Sequence, residues 1–120
     1  MAVTVTDFRS TQGTRIVKDT AANATGVDNA AGASGTLYMV EINNSGGSQV
    51  VYFKLANTAA AVPGTTAADV VLMCPASSTK TYVFTGGIAF GVGFSHWCTT
   101  GAAEANTTAP STPPTVTYIT

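Results

Sequence analysis

The sequence predicts an all-β chain, folded as an antiparallel β-sandwich or jelly-roll-like domain of about eight strands. Three observations carry this expectation. Apolar residues alternate instead of recurring at helical spacing, β-branched Thr and Val dominate the alternating runs, and Gly, Pro and Asn clusters separate those runs at short intervals.

Taken in order, the opening run AVTVTDF alternates Val3 and Val5 against Thr4 and Thr6, and TRIVKDT follows a Gln12-Gly13 turn. Both read as strands at an edge, so residues 1–19 form an amino-terminal arm or a pair of edge strands. Residues 20–35 are small and polar, with Val27 the only large hydrophobe. That composition marks a loop, and one long enough to reach a partner. Residues 36–120 then supply the sandwich, within what is overall one domain.

TLYMVEINN reads as a strand with Leu37, Met39 and Glu41 on one face and Tyr38, Val40 and Ile42 on the other. Asn44-Ser45-Gly46-Gly47 tolerates positive φ, so a hairpin is expected. Its return strand, QVVYFKLAN, turns Val51, Phe53 and Leu55 into the core and Tyr52 and Lys54 away from it. Pro63-Gly64 breaks the segment between Asn57 and Ala68, VVLMCP resumes as a buried strand, and TKTYVF follows. Gly86-Gly87 is expected to turn the chain into IAFGVGFSHWCTT, where Gly91 and Gly93 suit a bulge or a close approach between sheets. After a loop from Thr100 to Pro114, TVTYIT ties the carboxyl end into a sheet.

The 120 residues are 45% hydrophobic, and only 9% are charged, with a formal net charge of −1. Soluble domains average about 25% charged residues, so a coat of Thr, Ser, Asn, Ala and Gly suits faces that neighbouring proteins cover. Five basic residues (Arg9, Arg15, Lys18, Lys54, Lys80) against six acidic ones create no field that would attract a polyanion, which points away from nucleic acid. No signal peptide or apolar span is read, so the expectation is synthesis in a cytoplasm and no membrane partner.

Chemistry finds little support in the residues. His96 and Cys98 share a strand face and Cys74 could join them, but a closed zinc site needs four ligands, and a Cys–His nucleophile needs a positive neighbour and an orienting third group. No carboxylate pair is spaced for glycoside hydrolysis, and the glycine pairs lack the helix and lysine of a phosphate loop. The sequence therefore predicts no enzyme, no catalytic residue, no metal, no cofactor and no small-molecule substrate. Tyr38, Tyr52, Tyr82, Trp97 and Tyr118 could form a sugar platform, with core or subunit packing as the plainer role. Asn23-Ala24-Thr25, Asn43-Asn44-Ser45 and Asn106-Thr107-Thr108 match the glycosylation triplet, as a Thr- and Asn-rich chain will by chance.

Over roughly residues 36–120 the order of segments resembles a family of small virion proteins of tailed bacteriophages, including phages of cyanobacteria. The shared features are a strand carrying Ile42-Asn43-Asn44, the Tyr52-Phe53-Lys54-Leu55 strand, Gly64-Thr65-Thr66-Ala67 followed by Asp69, Pro75-Ala76 followed by Thr79, Gly87-Ile88-Ala89-Phe90, and Thr99-Thr100-Gly101. The resemblance implies a virion-located β-sandwich subunit that decorates the capsid as a cement protein. Its partners would be the major capsid protein and copies of itself, as a homotrimer; a neck, tail or baseplate component is the alternative. Within that picture the assembly contacts are expected at Phe8, Arg9, Arg15 and Lys18 of the arm, at Val62, Pro63, Thr65 and Thr66, and at Pro110 and Pro113.

Overall fold

The protein is described by a computed structural model covering residues 2–7, 13 and 15–120, with Asp7 described in its backbone alone. Eight strands follow one another: β1 (Val3–Asp7), β2 (Arg15–Asp19), β3 (Gly35–Asn44), β4 (Val51–Ala56), β5 (Val70–Cys74), β6 (Ser78–Phe90), β7 (Ser95–Thr99) and β8 (Thr115–Ile119). They form a five-stranded sheet in the order β1-β2-β8-β3-β6 and a three-stranded sheet in the order β5-β4-β7. Every pairing is antiparallel. The expected β-sandwich is therefore the architecture. Val17, Leu37, Val40, Ile42, Phe90, Val116 and Tyr118 of the larger sheet meet Val51, Phe53, Leu55, Leu72, Cys74 and Cys98 of the smaller one in a single buried core.

The expected hairpin between β3 and β4 does not form. β3 pairs with β6 and β8, whereas β4 pairs with β5 and β7, so the chain crosses from one sheet to the other after Asn44. Alternation identified the core-facing Val40 and Ile42 of β3 and Val51, Phe53 and Leu55 of β4, but those faces lie opposite one another across the core instead of side by side. A second crossing joins β5 to β6 at Pro75–Ser77, and one side chain holds both corners. Asn44 is buried, and its Nδ2 donates to Gln49 O at 2.8 Å and to Pro75 O at 3.0 Å. A Cβ on Gly47 would lie 2.1 Å from the Asn44 side-chain oxygen, so only glycine fits this corner.

Gly86-Gly87 does not end a strand either. β6 runs through both glycines, each at φ 79°, and the register against β3 slips between Leu37 and Met39. Leu37 pairs with Ile88 and Met39 with Val83, which places Tyr38 opposite the four residues 84–87. This bulge explains why strict alternation fails in β3: Leu37, Val40 and Ile42 are all buried, although Leu37 differs in parity from the other two. A Cβ on Gly87 would meet Thr36 Cγ2 at 2.2 Å. The chain instead turns at Gly91–Phe94, and Gly93 packs closely against connecting segments, not against the other sheet: a Cβ there would stand 2.8 Å from Asn29 Oδ1 and 3.1 Å from Thr58 O.

Two further expectations change. β1 occupies the sheet edge, but β2 is an interior strand paired on both sides, with Val17 fully buried. Residues 20–35 do not reach outward; they lie back along β7 through Val27 N–H to His96 O, His96 N–H to Val27 O, and Cys98 N–H to Asn23 O. All three glycosylation-like triplets have a local structural use. Asn23, Asn43 and Asn106 each accept, on the side-chain oxygen, the N–H two residues ahead, at 2.8, 3.1 and 3.2 Å. These are Asx turns, which Asn forms readily.

Asn44→Ala would strip both corner carbonyls of their donor at once. The expected cost is about 1–3 kcal/mol of unfolding free energy, read as a lower urea midpoint with an unchanged denaturant slope.

Candidate functional site

Three places concentrate the chemistry-bearing residues: a polar array inside the sandwich, the outer face of the smaller sheet, and the outer face of the larger one. The inner array centres on His96. Its Nε2 lies 2.8 Å from Asp19 Oδ2 and its Nδ1 lies 3.0 Å from the Tyr118 hydroxyl, with all three side chains buried. The Ala21 N–H donates to the other Asp19 oxygen at 3.0 Å. Burial, and secondarily the Asp19 charge, push the Tyr118 phenol well above its ordinary pKa. A neutral phenol can donate to Nδ1 while Nε2–H donates to Asp19, and every ring nitrogen is then satisfied.

Sequence reasoning named no acidic partner for His96, and the fold supplies one. The signal was present in TRIVKDT, where Asp19 shares its parity with the core-facing Val17 and so had to be buried with a partner. Asp19 also lines a cavity of about 270 Å³ with Ala2, Ala21, Asn23, Thr25 and Val27, whereas the imidazole and the phenol are enclosed. His96 has no exposed surface, and the Cys98 thiol on the same inner face is pushed up to about 12, chiefly by burial and then by the Asp19 charge and Cys74. Cys74 is likewise raised by burial, and both cysteines are free. Among the described residues, no group of three or more His, Cys, Asp or Glu could hold a metal ion.

On the outer face of the smaller sheet, Lys54 and Trp97 are cross-strand neighbours. Both are only 1% exposed, because the segments 57–68 and 100–114 fold over them. Lys54 Nζ donates to Ala103 O at 2.9 Å. Trp97 packs with Ala56, Ala61 and Ala68 in a small second core, so it offers no ring to a sugar. Tyr118 is buried too, while Tyr38 and Tyr52 sit on different sheets and the Tyr82 hydroxyl bonds to Met73 O.

The expected assembly residues fall into separate groups. Val62 is exposed, and Thr65 N–H and Thr66 N–H both donate to its carbonyl, which makes Val62, Pro63, Thr65 and Thr66 one tight turn. That turn meets the 100–114 segment at Gly64, where a Cβ would come 2.7 Å from Thr107 Cγ2. Pro110 is buried and cannot be a surface contact, whereas Pro113 is exposed beside the Asn44 corner. Lys18 is exposed on the larger sheet, and the Arg15 guanidinium bonds to Ala31 O within this chain. Phe8 and Arg9 lie outside the described residues.

A feature that sequence reasoning missed crosses the outer face of the larger sheet. Register places Ile16 beside Ile119, Ile119 beside Met39, and Met39 beside Val83. The four form a continuous apolar row over β2, β8, β3 and β6, ending at Val83, which is 68% exposed. The neighbouring row is polar: Thr4, Lys18, Thr117, Glu41 and Thr81. Only strand order reveals the row, since each member stands alone in its own segment. Comparison of the chain with protein-family models, curated proteins and solved structures finds no match.

Two outcomes follow from the inner array. Tyr118→Phe removes the donor to a buried ring nitrogen and is expected to lower stability by about 1–3 kcal/mol, measured by urea unfolding. The unfolded Cys98 thiol ionises near its ordinary value of 9.0 while the folded one holds its proton to about 12. The unfolded state thus releases a proton that the native state keeps, and stability falls as pH rises through that window, with a limiting slope of about 1.4 kcal/mol per pH unit. Urea midpoints across this range should drop less steeply in Cys98→Ala than in the parent.

Proposed function

We propose that the chain is a structural subunit of a tailed-bacteriophage virion, acting as a capsid decoration protein that bridges shell subunits. The observation that carries this reading is the apolar row Ile16, Ile119, Met39 and Val83, flanked by a row in which Lys18 and Glu41 are the charged members. Contiguous apolar surface on a small domain marks a protein contact. The smaller sheet adds exposed Val71 and Met73 on its own outer face, so the sandwich offers two sticky sides. Cement proteins work by many modest contacts repeated over a lattice, where multivalency supplies the strength. The resemblance of residues 36–120 to phage virion proteins points the same way.

On this reading the partners are the major capsid protein and further copies of the chain, arranged as a homotrimer. No reaction, cofactor or nucleic acid is assigned to it. The Val62–Thr66 turn and the exposed Lys18 supply secondary contacts at the rim, and polar rims are usual around apolar centres.

Val83→Glu places a charge at the exposed end of the row, where the isolated fold should change by no more than about 0.5 kcal/mol. It is expected to abolish incorporation into particles and to lower the temperature at which the shells open. Electron microscopy of parent particles should find the larger sheet facing the shell, in copy numbers comparable to those of the major subunit. A low-copy ring on the tail axis would instead make the chain a neck or tail component, and unchanged particle incorporation of Val83→Glu would remove the row from the interface.

A further inference from the structure

Lys54 and Trp97 pose a problem that the assembly reading leaves unsolved. An ammonium group has three donors and an indole has one, and here four donors meet one acceptor. Lys54 donates to Ala103 O alone, and none of the described residues gives it a carboxylate partner. The Trp97 indole N–H is buried with no hydrogen-bond partner in the protein. Both side chains line one cavity of about 190 Å³ beneath the 57–68 and 100–114 segments. Its other walls include Thr66, Ala67 and Ala102, with the exposed Glu104 at the rim.

Buried donors without acceptors, and a buried cation without a counter-charge, each destabilise a fold. An acceptor arriving from outside relieves both here. We propose that this cavity is a binding site for a carboxylate, with one oxygen taken by Lys54 Nζ and the other by the Trp97 indole N–H. The alanine walls suit the short aliphatic stem of such a group, and Lys54 and Trp97, which carry the two donors, are register partners on adjacent strands that line the same cavity. Burial also lowers the Lys54 pKa, the direction expected of an ammonium group without a compensating anion. The site rests on its own geometry and goes beyond the virion reading. Two sources share this chemistry: an Asp or Glu side chain of a partner protein, or a free small carboxylate.

The chain contains one tryptophan, so its indole N–H gives a single assignable NMR signal at the site. Acetate, exchanged for chloride at constant ionic strength, is expected to shift that signal saturably. Lys54→Met should abolish the saturation while keeping the melting temperature at or above the parent's, because a desolvated charge has been replaced by an apolar chain of similar length. Glu104→Gln, at an exposed position, should tighten acetate binding about threefold by removing a like charge from the rim. A tripeptide with blocked termini and a central glutamate identifies the source: binding about tenfold tighter than acetate assigns the site to a protein partner, and weaker binding assigns it to a free carboxylate. Three results would overturn the proposal: no saturable shift with either probe, the same shift in Lys54→Met, or an indole signal that moves in Glu104→Gln without any ligand. The last would mean that Glu104 fills the site itself.

Discussion

The hydrogen-bonding requirement of His96 governs how the two sheets meet. An imidazole without solvent contact needs a partner at each nitrogen, and Asp19 and Tyr118 come from β2 and β8 of the opposite sheet. The same residue bridges Val27 through its backbone, which holds the 20–35 segment against β7. Side chain and main chain of one residue therefore link the larger sheet, the smaller sheet and the long amino-terminal connection. Phe53 and Tyr118 pack their rings against the imidazole at centroid distances of 5.3 and 5.5 Å. Polar and apolar contacts thus fix one relative placement of the sheets, whereas apolar contacts alone tolerate sliding.

That inner array has the composition of a catalytic dyad, with its imidazole and phenol fully enclosed. A carboxylate orienting a histidine is a familiar arrangement where a nucleophile waits on the far side. Here the far side is a phenol held neutral, and the nearby thiol is held neutral as well. Burial, which makes the array structurally decisive, also keeps the phenol and the thiol protonated. A group with unmet bonding capacity lies elsewhere, at Trp97 on the outer face of the smaller sheet, where covering loops enclose it.

How much of this was legible in the sequence depended on the range of the interaction. Alternation within a segment located the strands and assigned Val51, Phe53 and Leu55 to the core, because side-chain direction along a strand is a local property. Pairing is not local. The Asn44–Gly47 turn looks like a hairpin until Asn44 is seen to spend its amide on two separate carbonyls, one of them 31 residues away. The His96–Asp19 contact spans 77 residues and left only a parity clue at Asp19. Lys54 alternated as an outward residue, as it is, but the carbonyl that takes its ammonium group, Ala103 O, lies 49 residues along the chain. The apolar row across the larger sheet was invisible for the same reason, since its four members come from four segments.

The bulge opposite Tyr38 sets a rule for how this sequence can change in length. Both ends of β6 keep even-numbered residues toward the core, from Tyr82 and Phe84 to Ile88 and Phe90, while β3 changes parity at Tyr38. An insertion or deletion of one residue between Phe84 and Ile88 would turn one end of β6 inside out relative to the other. A change of length at that point therefore preserves both faces only in pairs of residues, whereas the loops place no such parity condition on their length.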